Sequence, residues 1–126
     1  MSSAVDAEIA EFRAIQESMG KLRSDQQVLM QQHTENEMVK EELDRLNSDS
    51  CVYKKVGPVL MKHDLDEAKQ TVSKRLEFIS NELEKVSDKI SAKERLAESS
   101  ARKIQEMQKA MQAAAAEAVQ QIKANS

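Results

Sequence analysis

Two histidines and one cysteine are the side chains best suited to hold a metal or attack a substrate here, and their placement suits neither task. His33 and His63 lie far apart, and neither has another His or Cys at the short spacing of a zinc site. Cys51, close to Lys54 and Lys55, reads as a quiet packed thiol rather than a nucleophile. Carboxylates are plentiful, but they recur on what the periodicity marks as solvated helix faces, and no Gly-rich phosphate loop is present. Without a nucleophile, a paired base and a concave pocket, the chain is expected not to be an enzyme and to need no cofactor or metal. The chemistry that remains is apolar adhesion, for which methionines such as Met107 and Met111 are suited by their flexible, polarizable thioethers.

The elements that must position such residues follow from composition. Aromatic residues make up 2% of the 126 residues and charged residues 33%, with two Gly and one Pro. Large apolar side chains are too few for a layered core, while Ala, Glu, Lys, Gln, Arg, Leu and Met favour long helices sharing a narrow seam. A net charge of −3 gives no basic surface for nucleic acid or anionic lipid, so neither nucleic acid nor membrane is expected as a partner. No apolar run approaches the roughly 20 residues that span a bilayer. The opening residues, Met1 to Asp6, lack the basic and apolar regions of a signal peptide. The lone Cys51 fits a reducing compartment, and the expected location is cytoplasmic.

Gly57-Pro58, near the middle, divides two long stretches that contain no proline. The pattern predicts a helix over about 3–46, a β-hairpin over about 51–62 and a helix over about 64–122, in one domain of 1–126. Ser3 is the expected first cap and Asp64, with Glu67 three residues on, the second. The first helix carries Ile15, Leu22, Leu29, Asn36 and Leu43 at heptad spacing, with Phe12, Met19, Gln26, His33 and Lys40 as the companion set. The polar members, Gln26, His33, Asn36 and Lys40, are read as register-setting positions. The second helix carries Leu76, Leu83, Ile90, Ala97, Ile104, Met111 and Ala118, a sustained coiled-coil repeat, with Leu65, Val72, Ile79 and Val86 beside it. Exposed Glu17–Lys21 and Glu41–Arg45 pairs would support the first helix. Asn47-Ser48-Asp49-Ser50 compete for backbone hydrogen bonds and should stop it.

A connector shorter than about 20 residues cannot carry the chain back along helices of about 65 and 85 Å, so a parallel pair is excluded. The fold class is therefore mostly α, a long antiparallel two-helix coiled coil joined by a single β-hairpin. Val5 should lie opposite the interval between Ile104 and Met111. The hairpin residues Val52, Tyr53, Val56, Val59, Leu60 and Met61, around the Gly57-Pro58 turn, carry more apolar surface than two strands can bury. They call for edge-to-edge pairing with other chains, or else for a hairpin laid back on Leu46 and Leu65.

These residues resemble the β-type prefoldin subunits. The resemblance rests on Thr34 to Leu43, on Val52-Tyr53-Lys54-Lys55-Val56-Gly57-Pro58-Val59-Leu60-Met61-Lys62, and on Asp66 to Ile79. It implies a hexamer of two α-type and four β-type subunits whose hairpins close a double β-barrel, so two α-type and three further β-type subunits would be partners. It further implies helix ends that hold unfolded actin and tubulin without nucleotide and pass them to the cytosolic chaperonin. The expected client groove is Val5, Ile9, Phe12 and Ile15 facing Ile104, Met107 and Met111; the expected assembly site is Val52, Tyr53, Val56, Gly57, Pro58, Val59, Leu60 and Met61. An apolar stripe at heptad spacing is equally the signature of plain coiled-coil core. A coiled-coil tether, or a prefoldin-like assembly with other clients, remains the alternative function.

Overall fold

The structure is a computed structural model that describes residues 2–47 and 49–126. Ser48, one of the four residues expected to end the first helix, lies outside the described residues. Two long helices, α1 (Ser2–Arg45) and α2 (Leu65–Asn125), are joined by strands β1 (Val52–Val56) and β2 (Val59–His63).

Strong helix formers fill both helices, and their ends are set locally. α1 is already helical at Ser2, so Ser3 lies inside the helix instead of capping it. At the other end the Leu46 N–H donates to the Leu43 carbonyl at 3.2 Å. Asn47 then folds the chain: its Oδ1 accepts from the Asp49 N–H at 3.1 Å and from Ser50 Oγ at 3.2 Å. That side-chain competition for backbone donors is why a helix does not continue through such a segment. Arg45 pairs with Glu42 at 2.8 Å, one position nearer than the expected Glu41. For α2 the Ala68 N–H donates to the Asp64 carbonyl at 2.9 Å, which makes Asp64 the cap residue. Asp66 and Glu67 in its first turn complement the positive end of the helix dipole.

The strands are antiparallel, with Val52 opposite His63 and Val56 opposite Val59, so Gly57 and Pro58 form a two-residue turn. Gly57 has φ +59°, while the Pro58 ring confines its own φ near −65°. Positive then negative φ is the II′ pattern, whose twist matches that of a hairpin. A β-carbon at Gly57 would meet no atom within 4 Å, so a substitution there costs backbone strain alone. Gly57→Ala is expected to destabilise the hairpin by about 1–2 kcal/mol, seen as faster amide exchange at Val56 and Val59 with the helices unchanged. Cys51, expected to be packed, is exposed just before β1, where the chain has left the helix and not yet paired.

The chain forms two compact units. One comprises the chain up to Leu22 and from Lys89 onward; there Ile15, Met19 and Ala97 form a buried cluster with Phe12 against it. The other comprises Arg23–Asp88, where Leu43, Ala68 and Val72 form a cluster joined by Leu46, Val52, Leu65 and Leu76. In each unit rising numbers on α1 meet falling numbers on α2, which is the antiparallel arrangement. The α2 companion positions Val72, Ile79 and Val86 are buried; of the first set Leu76 and Leu83 are half-buried but Ile90 and Ala97 are buried, so both sets contribute to the seam. Among the described residues, no helix is long and apolar enough to cross a membrane.

Candidate functional site

The hairpin is the first candidate surface. Residues opposite one another share a face of the strand pair, so Lys54 and Met61 stand with Val56 and Val59, and Tyr53 and Lys62 with Lys55 and Leu60. Val52 is half-buried against the Leu43 cluster and anchors the base of the hairpin. Tyr53, Val56, Val59, Leu60 and Met61 are exposed, Leu60 at 65%. Of the hairpin residues, Val52 packs back on the helices, while Tyr53, Val56 and Val59 are exposed. Both faces therefore carry uncovered apolar side chains, and the outer edges of β1 and β2 are unpaired within this two-stranded sheet. Lys54, Lys55 and Lys62 stud the same strands, a common guard against indiscriminate strand pairing.

The second candidate surface lies in the unit that contains both helix termini. Val5, Met107 and Met111 line one groove of about 440 Å³ with Ala4, Ala110 and Ala114, inside the interval in which Val5 was expected to sit. Its lining contains no polar side chain. The four α2 residues, 107, 110, 111 and 114, recur at spacings of three, four and seven, which places them on one helix face. The alanines were missed in sequence because they look like helix filler, yet that spacing from Met107 marks them. The other expected groove residues divide. Ile15, 7% exposed, is core with Met19 and Ala97, and Phe12 packs on that cluster. Ile9 and Ile104 are half-buried.

Two further residues matter that sequence reading passed over. Ser100, 4% exposed, is a buried polar residue of the seam, and its Oγ donates to Glu8 Oε1 at 2.8 Å on the other helix. Heptad arithmetic marks both, since Glu8 stands seven before Ile15 and Ser100 seven before Met107. A hydrogen bond to a charged group contributes about 1.5–3 kcal/mol. Ser100→Ala should therefore lower stability by about 1–3 kcal/mol, read as a reduced Tm. Adding Glu8→Leu should recover much of the loss, because no carboxylate then remains without its partner. The expected register residues behave differently: Asn36 Nδ2 donates to the Gln32 carbonyl at 2.7 Å, and His33 Nδ1 lies 3.5 Å from Glu37, both on their own helix. Gln26 is half-buried and Lys40 exposed. Among the described residues, no group of three or more His, Cys, Asp or Glu could hold a metal ion.

Comparison with known proteins places this arrangement. The family model described as "Prefoldin subunit" matches residues 6–122, a span reaching into both units. A "Probable prefoldin subunit 6" of Caenorhabditis briggsae is 40% identical over 92% of this chain and 91% of its own. "Prefoldin subunit 6" of Homo sapiens is 36% identical over 89% of this chain and 87% of its own. Among solved structures, the prefoldin beta subunit from Thermococcus strain KS-1 superposes with a TM-score of 0.78 at 20% identity. That match covers 82% of this chain and 91% of the other, and it establishes the shared fold.

Proposed function

The chain belongs to the prefoldin subunit family, and we propose that it works as a β-type subunit of a hexameric, ATP-independent holdase. In this reading residues 1–126 act as one domain. The exposed hairpin pairs edge to edge with neighbouring hairpins in an assembly that includes two α-type and three further β-type subunits, completing a barrel that encloses one of its two apolar faces. The complex holds unfolded polypeptides, actin and tubulin among them, in the cytoplasm and delivers them to the cytosolic chaperonin. No catalytic step is assigned to it.

The observation that carries the holding function is the terminal groove, lined by Ala4, Val5, Met107, Ala110, Met111 and Ala114 without a polar side chain. An unfolded client presents apolar side chains of no fixed shape, and methionines can repack to meet them. Contacts at one such groove are weak, but several copies on one complex add through effective concentration, so capture is firm while each contact still releases. A plain tether would need neither uncovered strands in its connector nor an apolar groove at its helix ends.

The test is aggregation of chemically denatured actin, followed by light scattering, with the purified complex present and nucleotide absent. Suppression, together with cross-linking of actin to a photoreactive residue at position 111, is the expected result. Aggregation at the uncatalysed rate, or suppression only when ATP is added, would overturn the reading.

A further inference from the structure

Two grooves of the Arg23–Asp88 unit adjoin through Thr71 and Arg75; the one between the helices plays no part in the proposal above, while the other borders the assembly hairpin. One, of about 610 Å³, runs between the helices beside Lys74, Arg75 and Phe78. The other, of about 300 Å³, lies at the base of the hairpin beside Lys54, Lys55 and Tyr53. Four fixed cations thus line one continuous surface, and neither lining contains an Asp or Glu. This runs against the balance of a chain whose net charge is −3. Arg45, Lys85 and Arg102 are held in ion pairs on their own helices. No ion pair or side-chain hydrogen bond among the described residues engages Lys54, Lys55, Lys74 or Arg75.

The apolar members of this surface are as distinctive as the charged ones. Thr71, Lys74, Arg75 and Phe78 recur at three, four and seven residues along α2 and so share one face. Phe78 is 64% exposed there, one turn from both cations, and Tyr53 is exposed at the other end of the surface. A guanidinium presents a planar fork that matches a carboxylate, and an ammonium supplies a point charge. An uncovered aromatic ring beside them offers an anchor for an apolar side chain.

We propose that this face docks an acidic segment of another polypeptide, one in which Asp or Glu residues alternate with aromatic or aliphatic ones. Nucleic acid fits less well, because a negatively charged chain repels a dense polyanion and four cations would have to neutralise it alone. The acidic segment is anchored in the groove between the helices: its carboxylates meet Lys74 and Arg75 while its apolar residue covers Phe78. The attraction is largely solvent-exposed and therefore weakens with salt.

The test uses the complete complex purified through this chain and a fluorescent peptide repeating Glu-Glu-Phe, followed by anisotropy. Controls are a Gln-Gln-Phe peptide and a single-stranded oligonucleotide. The expected result is tighter binding of the Glu peptide than of either control, with Kd rising about tenfold or more in Lys74→Glu/Arg75→Glu and in Phe78→Ala. Should charge reversal impair assembly, Lys74→Gln/Arg75→Gln, which preserves helix-forming side chains, is expected to give the same direction, and a photoreactive residue at position 78 should capture the Glu peptide. Equal binding of the Gln peptide, or unchanged Kd in all of these variants, overturns the proposal. So does tighter oligonucleotide binding lost in the same variants, or a change in self-association without a change in peptide binding, which would assign the face to nucleic acid or to a second copy of the chain.

Discussion

Leu60→Asp/Met61→Asp is expected to remove this chain from its complex while leaving α1 and α2 folded. Both side chains are exposed in the single chain, so the substitutions disturb nothing the chain buries by itself. Assembly reverses that for one of them: the two residues point to opposite faces of the strand pair, so a barrel closed by neighbouring hairpins would enclose one of the two whichever face turns inward. An unpaired carboxylate forced into such an interface costs several kcal/mol. The enclosed one should weaken association by about a hundredfold or more. Co-purification with partner subunits reads the effect, and unchanged helical circular dichroism shows that the chain survives. Normal incorporation of the variant would mean that assembly runs through another surface.

The second large effect concerns the terminal groove. Met107→Ser/Met111→Ser is expected to impair client retention without loss of assembly. Fully burying a methionine contributes about 1.5–3 kcal/mol. Recovering about half of that on client binding corresponds to about three- to tenfold per side chain. The pair should therefore weaken capture by about ten- to a hundredfold. Phe12 and Ile15 are unsuitable for this test because they hold the seam with Met19 and Ala97, so replacing them would loosen the helix pair itself. Val5, Met107 and Met111 line the terminal groove, whereas Phe12 and Ile15 pack in the seam. Undiminished retention of denatured actin by the double variant, with the complex whole, would remove the groove from the account.

Much of the fold was legible because long helices write themselves in periodicity. Gly57-Pro58 and the β-branched runs around it located the hairpin, and the short connector left the antiparallel pair as the one topology available. Legibility failed where one residue type serves two roles. Ile15 and Met107 both read as apolar seam, and distance from the helix termini alone separates a core residue from a groove residue. Ser100 is a polar residue at a seam position, and its partner Glu8 could be recognised only once the register between the helices was known, since that contact joins residues far apart in the chain. The cation cluster escaped for a related reason. Lys54 and Lys55 sit on a strand and Lys74 and Arg75 on a helix, and nothing in linear spacing announces that their grooves share Thr71 and Arg75. Cys51 was misplaced because it stands between the end of α1 and the first paired residue of β1, where it is exposed.

The central claim is that this chain acts inside a hexamer of different small subunits. Native mass spectrometry of the complex purified from its own cells, through a tag on this chain, addresses it most directly. The expected result is an assembly near six times the 14.2 kDa subunit mass, holding one copy of this chain and five different coiled-coil partners. A homodimer, or a complex with large folded proteins alone, would contradict it and return the hairpin to the role of a simple connector.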